Sequence, residues 1–456
     1  MFQKILIANR GEIAVRIIRT CKELGIKTVA IYSTVDYNAL HVQLADEAIC
    51  VGSALANDSY LNMENIISAA VLTKAEAIHP GFGFLSENGK FAQLVVECNL
   101  VFIGPRANII DTMGNKSKAR QIMIEHDIPV VPGSDGNLSS AEAGYIVAQK
   151  IGYPIIIKAT NGGGGKGMRI VRRKEDFNDM FEVARKEAVA SFGDSSLYLE
   201  KYIERPKHIE FQVVGDHHEN YVHLFERDCS IQRAHQKMIE EAPCVSLDDG
   251  VRGKMAADVI KIAKAIDYNS VGTIEFLVDH KQDYYFIEMN TRIQVEHPVT
   301  EMITGIDLIK EQIKIAFGNK LSFTQFDVRI DGYAIECRIN AEDPLNKFMP
   351  SVGKIEDLIL PGGFGVRIDS MIYPNYDLSP FYDSMILKLI VHGRNRLECI
   401  HKMRRALEEL IINGVTTNNE FHYYIMHHLD YVKGNFDTSF VANFLDELLS
   451  EGTALS

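Results

Sequence analysis

The sequence predicts a multidomain chain of mixed α/β and α+β class, on three observations. Its 456 residues are enough for about three domains. The chain opens with an apolar run, Ile5-Leu6-Ile7-Ala8, then apolar positions at helical spacing (Ile13, Val15, Ile17, Ile18, Cys21, Leu24) and a second strand over 28–32, which is a βαβ unit. It closes differently, with turn-rich strands over 350–355 and 383–391 followed by helices over 398–412, 420–428 and 439–449, an α+β pattern.

Within the first block, further strands are expected near 47–51, 75–79 and 101–103 with helices between them, making a small doubly wound domain up to about Asp111. A dinucleotide fingerprint would need G-x-G-x-x-G at the first turn, and only Gly11 is there, so NAD binding is disfavoured. The stretch His79-Pro80-Gly81-Phe82-Gly83-Phe84-Leu85-Ser86-Glu87-Asn88 follows a strand, where open α/β sheets place ligands. A tight turn needing positive φ at its glycines explains it equally well.

A net charge of -13 argues against a nucleic-acid partner, although a local basic pocket for phosphates is compatible with it. Seven cysteines are scattered without CxxC or metal-ligand spacing, as expected for reduced thiols in the cytoplasm. No apolar run approaches the roughly 18 residues of a membrane span.

In the middle of the chain, helices over 116–125 and 141–150 precede a strand over 153–159 that carries Lys158. It leads into Asn161-Gly162-Gly163-Gly164-Gly165-Lys166-Gly167 and a second strand over 168–172. Successive glycines let backbone N–H groups approach phosphate oxygens and let the loop act as a lid. The spacing and the missing helix exclude a Walker P-loop; strand-loop-strand is instead the form of the glycine flap that protein kinases fold over ATP. A strand over 198–203 ends at Glu204-Arg205-Pro206, a break suited to a hinge. After strands over 208–215 and 221–226, the run 227–237 is polar and basic, and is read either as a solvated loop or as a loop offering cations and donors to an anionic substrate.

Two acidic strands follow. If 280–283 form a four-residue hairpin loop, Asp279 faces Tyr284 and Glu275 faces Glu288, with Asn290 on the same side. Opposed carboxylates repel each other, and a cation removes the conflict; two carboxylates and an amide suit Mg²⁺ or Mn²⁺. A solvated acidic face is the alternative. On the strand over 332–342, Glu336, Arg338 and Asn340 share one face, where a structural ion pair competes with a catalytic arginine.

Together Lys116, Lys158, the glycine flap, Glu200-Lys201 and the acidic hairpin resemble the ATP-grasp superfamily. Ile7-Ala8-Asn9-Arg10-Gly11-Glu12-Ile13-Ala14, Gln236-Lys237 with Glu240-Glu241-Ala242-Pro243, and Glu288-Met289-Asn290-Thr291-Arg292-Ile293-Gln294-Val295-Glu296-His297-Pro298 narrow it to biotin carboxylase over nearly the whole chain. The resemblance implies a Rossmann-like pre-ATP-grasp domain (1–112), an ATP-grasp domain (113–320) with a mobile lid at about 130–202, and a C-terminal biotin carboxylase domain (321–446). It implies ATP contacts from Lys116, Lys158, Gly163, Gly164, Gly165, Glu200, Lys201, Tyr202, Ile203, His208, Gln232, His235 and Leu277. Two Mg²⁺ or Mn²⁺ ions would be held by Glu275, Glu288 and Asn290. Lys237, Arg292, Gln294 and Val295 would bind bicarbonate, with Glu296 as general base and Arg338 stabilising enolised biotin. Ala234 and Val352 depart from the pattern, where relatives often carry arginine and proline.

No Ala/Val-Met-Lys-Met biotin-attachment sequence occurs. The resemblance therefore implies a separate biotin carboxyl carrier protein, carboxyltransferase subunits and a homodimer, as in acetyl-CoA carboxylase. The equivalent subunit of a two-chain pyruvate or other carboxylase would share every site residue.

Overall fold

The computed structural model describes residues 1–160 and 168–455. It divides into two compact units: Met1–Ala119 with Lys207–Glu275 and Glu288–Ser456, and Arg120–Pro206 with Phe276–Ile287.

The larger unit opens on a five-stranded sheet in the order Glu47–Gly52, Lys27–Ser33, Lys4–Ile7, Ala77–His79, Val101–Phe102. All its pairs are parallel. Ile5, Leu6 and Ile7 are fully buried, as a central strand covered on both faces requires. The helix Gly11–Glu23 buries Ile13, Val15, Ile17, Ile18 and Cys21, the stripe expected from their spacing.

A second sheet runs Lys207–Gly215, Tyr221–Arg233, Gln236–Ala242, Tyr333–Asn340, Met385–Gly393, Val366–Ser370, antiparallel throughout. Alternation sorts its side chains. Ile239, Cys337 and Leu389 lie in register and join the core beneath the helices Arg396–Glu409 and Asn419–His427. On the opposite face Glu240 pairs with Glu336, and Arg338 with Lys388. One face is thus oil and the other is a bed of buried charge.

The expected loop over 227–237 is corrected here. Tyr221–Arg233 is one strand, and a two-residue turn, Ala234 (φ 48°) and His235 (φ 66°), returns it as Gln236–Ala242. Positive φ at both positions is the signature of the tight hairpin turn. The run is polar because its charges are buried against partners: Arg227 on Glu210 at 2.5 Å and Asp228 on Lys207 at 3.0 Å.

The smaller unit holds a three-stranded sheet, Met168–Val171, Ile155–Ala159, Leu197–Lys201, also antiparallel. Ile155, Ile157, Leu197 and Leu199 pack with Phe177, Phe181 and Ala148. The two strands expected around the glycine loop are present; Gly163, Gly164 and Gly165 lie outside the described residues.

The acidic hairpin turns more tightly than its sequence suggests. Asp279 N donates to Asp283 O at 2.9 Å and Gln282 N to Asp279 O at 3.0 Å, with Gln282 at φ 68°. That is a three-residue loop over 280–282, not four. The Asp279 carboxylate enforces it by accepting from the Lys281 and Asp283 amides at 2.8 and 2.9 Å. Phe276 then packs edge-on against Tyr284 and Phe286, which the longer loop would have put on the other face. Asp279 therefore faces Asp283 and not Tyr284, which corrects the expected pairing at the turn. Among the described residues, no helix is long and apolar enough to cross a membrane.

Candidate active site

The charged face of the second sheet concentrates on Lys237. Its Nζ donates to three carboxylates, Glu210 Oε2 at 2.5 Å, Glu296 Oε1 at 2.7 Å and Glu275 Oε1 at 3.0 Å. All three acids are buried. Burial works against a charged lysine, yet the three carboxylates raise the Lys237 pKa well above its ordinary value.

Glu296 sits just after the Tyr284–Asn290 strand, at the start of the helix His297–Thr304, whose first turn is fixed by Pro298. Its carboxylate is fully buried and also takes Arg338 Nη2 at 3.0 Å. Burial alone would push its carboxyl up, but Lys237, Arg338 and Arg227 hold it well below the usual range. Arg338 in turn binds Glu240 Oε1 at 2.6 Å, on the neighbouring strand. The arginine is therefore both a structural ion pair and a group aimed at Glu296.

Glu275 accepts four donors: His208 Nε2 at 2.8 Å, Lys237 Nζ at 3.0 Å, Asn290 Nδ2 at 2.8 Å and Gln294 Nε2 at 3.1 Å. Burial opposes its ionisation, and Lys237 and His208 overcome that to hold it far below the ordinary carboxylate value. Arg292 spans this group, donating to Asn290 Oδ1 at 3.0 Å and Gln294 Oε1 at 2.9 Å. Glu288 is half-exposed, 3.5 Å from Lys116 Nζ. Among the described residues, the acids and imidazole gathered around Glu275 are Glu210 and His208.

The donor types fit a hard divalent cation: an ionised carboxylate at Glu275, an accessible one at Glu288 and an amide oxygen at Asn290. Such an ion would neutralise phosphate charge.

Of the remaining expected positions in the larger unit, Gln232 is buried and lies across from Lys237, Val295 offers its carbonyl to Lys388 at 2.8 Å, and His235 is exposed at the turn. In the smaller unit, Lys158 ion-pairs with Glu200. Lys201 folds back onto the Gly152 and Tyr153 carbonyls at 2.9 and 3.0 Å, and the Tyr202 amide donates to Pro154 O. Ile203 and Leu277 are partly buried.

Four residues carry no individual role in the sequence reading, although three of them lie in stretches that it quotes. Glu210 and Arg227 form a fully buried pair at 2.5 Å that backs Lys237, Glu240 anchors Arg338, and Glu87 holds Arg292. A signal existed for Glu210: His208, Glu210 and Gln212 alternate along one strand, so three polar side chains share a face inside an apolar segment.

Glu240 has a pH consequence. Burial, with Glu296 repelling it, pushes its carboxyl up to about 7 despite Arg338. A carboxyl raised on folding contributes stability that is complete below its unfolded pKa and is lost as pH rises through about 7. Glu240→Gln should therefore flatten the decline of the unfolding free energy between acid and neutral pH, as denaturant titrations at a series of pH values would show.

Three family models match the chain: the biotin carboxylase N-terminal domain over residues 1–110, the carbamoyl-phosphate synthase L chain ATP binding domain over 115–324, and the biotin carboxylase C-terminal domain over 336–443. Biotin carboxylase 1 of Bacillus subtilis (strain 168) is 54% identical over 97% of this chain and 99% of its own length. A pyruvate carboxylase subunit from Methanothermobacter thermautotrophicus is 50% identical, over 97% of this chain and 90% of its own. The crystal structure of the biotin carboxylase domain dimer of Hydrogenobacter thermophilus 2-oxoglutarate carboxylase, in complex with MgADP, ADP and bicarbonate, superposes with a TM-score of 0.90 at 51% identity, covering 97% of this chain and 98% of that one. The family models, the curated relatives and the solved structure each cover their part or nearly all of the chain, and the chain belongs to the biotin carboxylase family.

Proposed function

We propose that the protein uses ATP and bicarbonate to carboxylate biotin carried on a separate carrier protein, through carboxyphosphate, as the first half-reaction of acetyl-CoA carboxylase. The observation that carries this reading is Glu296, an ionised, fully buried carboxylate held between Lys237 and Arg338. Bicarbonate is a poor nucleophile and the ureido nitrogen of biotin a poor acid, so both need a positioned base and positioned cations.

Arg292 and Lys237 bind and orient the bicarbonate, Gln294 and the Val295 backbone complete its site, and Glu296 takes its proton as the bicarbonate oxygen attacks the γ-phosphorus of ATP and the bond to the leaving ADP breaks. Carboxyphosphate then releases CO₂ and phosphate, the phosphate deprotonates biotin, and the Arg338 guanidinium stabilises negative charge on the ureido oxygen while CO₂ is captured. Lys116, Lys158, Gly163, Gly164, Gly165, His208, Gln232, His235, Leu277 and residues 200–203 bind ATP. Glu275, Glu288 and Asn290 hold Mg²⁺ or Mn²⁺, which supplies charge neutralisation at the phosphates.

The domain boundaries follow the same reading: 1–112, 113–320 with a lid at about 130–202, and 321–446. The dimeric relative supports a homodimer, and free cysteines among the described residues support a cytoplasmic location beside a biotin carboxyl carrier protein and a carboxyltransferase. The similarity to a pyruvate carboxylase subunit supports a second reading, in which the same half-reaction serves another acceptor.

The test is ATP hydrolysis by the purified protein with bicarbonate and Mg²⁺, with and without free biotin. Biotin should accelerate it. Hydrolysis indifferent to biotin would leave ATP binding alone and overturn the proposed acceptor.

A further inference from the structure

We propose, resting on the bicarbonate site just described, that Asn9-Arg10-Gly11-Glu12 is a positioning element that sets Arg292 through Glu87 and the Val295–Glu296 backbone through Lys388. This opening motif and the 79–88 loop have no other role in the chemistry above. Every contact involved lies within the larger unit.

The first arm begins at Asn9, which is buried. Its Nδ2 donates to the Pro80 and Phe82 carbonyls, both at 2.7 Å, and its Oδ1 accepts from the Arg10 amide at 2.8 Å. The side chain is thus fully used in holding the 80–82 turn. Gly81 has φ +63°, and a Cβ there would meet Asn9 Nδ2 at 2.8 Å, so the loop is built to receive this one amide. The loop delivers Glu87, whose carboxylate takes the Thr291 amide at 3.1 Å and Arg292 Nε at 2.9 Å. Glu87 therefore fixes both the backbone entering the segment 292–296 and the guanidinium it carries.

The second arm begins three residues on. Glu12 and Lys388 are both buried, with Nζ 3.2 Å from Oε1. The same Nζ donates to Val295 O at 2.8 Å, one residue before Glu296. A lysine with no access to water keeps its place only where its protons find partners, and here one of them is the carbonyl next to the proposed base. Between them the two arms grip both ends of a five-residue segment. Reacting groups held this way lose rate steeply when they drift by even about 1 Å.

The test separates positioning from simple stability. Glu87→Gln keeps the shape but removes the charge that orients Arg292; it should raise KM for bicarbonate by about tenfold while KM for ATP and the unfolding midpoint stay as in wild type. The double variant Glu12→Gln with Lys388→Met removes the second arm as a neutral unit, which avoids a lone buried charge, and should lower kcat with KM for ATP unchanged. Arg292→Gln is the control. If it leaves KM for bicarbonate unchanged, the site reading fails and this proposal falls with it. If it raises that KM while Glu87→Gln and the double variant behave as wild type, the positioning role alone is overturned. A parallel loss of ATP affinity, bicarbonate affinity and folded protein would make the motif merely structural and would overturn it as well.

Discussion

Replacing Glu296 with glutamine is expected to lower biotin-stimulated ATP hydrolysis by about 10²–10⁴-fold, the range lost when a positioned base is removed. Glutamine keeps the shape and cannot accept the proton. The fold should survive, because Lys237 retains Glu210 and Glu275, and Arg338 retains Glu240. There is an apparent conflict in assigning a base to a carboxyl held so far below its usual range, since such a group has little affinity for a proton. The conflict resolves through the same cations that cause the shift. When bicarbonate draws Lys237 to itself, Glu296 loses the cation that depresses it most, and its proton affinity rises at the moment a proton is to be taken. The acid limb of kcat/KM for bicarbonate in the wild type should accordingly not follow an ordinary glutamate titration, because free-enzyme Glu296 stays ionised. A Glu296→Gln protein with wild-type turnover, measured beside a matched unfolding curve, would remove Glu296 from the chemistry.

How far the sequence was legible depends on what each signal encodes. The opening βαβ unit was readable because Ile13, Ile17, Ile18 and Cys21 recur at helical spacing and Ile5 to Ile7 form an uninterrupted apolar run. The strand carrying Arg338 was readable because alternation put Ile335, Cys337 and Ile339 in the core. Polarity misled at 227–237, where a basic run suggested solvent. Buried charge and exposed charge look identical in one dimension, and only the partners, Glu210 for Arg227 and Lys207 for Asp228, distinguish them. The acidic hairpin failed for a different reason. A side-chain bond from Asp279 to two amides shortens its loop by one residue, and with a strand period of two that slip exchanges the faces beside the turn. Glu275 and Asn290 nevertheless meet, at 2.8 Å, whereas Glu288 keeps company with Lys116. Contacts across more than two hundred residues, such as Glu87 to Arg292, leave no local pattern to read.

Lys237→Met is expected to have the largest effect on stability, a loss of about 3–5 kcal/mol at neutral pH, because it strips the shared partner from buried acids instead of deleting a balanced pair. Glu210 keeps Arg227 and Glu275 keeps His208, so the loss stops short of three isolated charges. Its pH dependence carries the argument. In the wild type, Lys237 is raised on folding, so what it contributes is complete below its ordinary value and is lost only as pH climbs past it, while Glu275 and Glu296 are lowered, so what they contribute is present above an ordinary glutamate value and is lost on acidification. Methionine at 237 lets both carboxyls rise. Less of their contribution then survives at neutral pH, and the gap between variant and wild type should widen from acid to neutral pH before narrowing again only in strong alkali. Chemical denaturation of the two proteins across that range measures the gap directly. A difference that stayed flat with pH would mean that Lys237 acts through packing of its carbon chain, and the charged cluster would lose its place as the organising feature of the site.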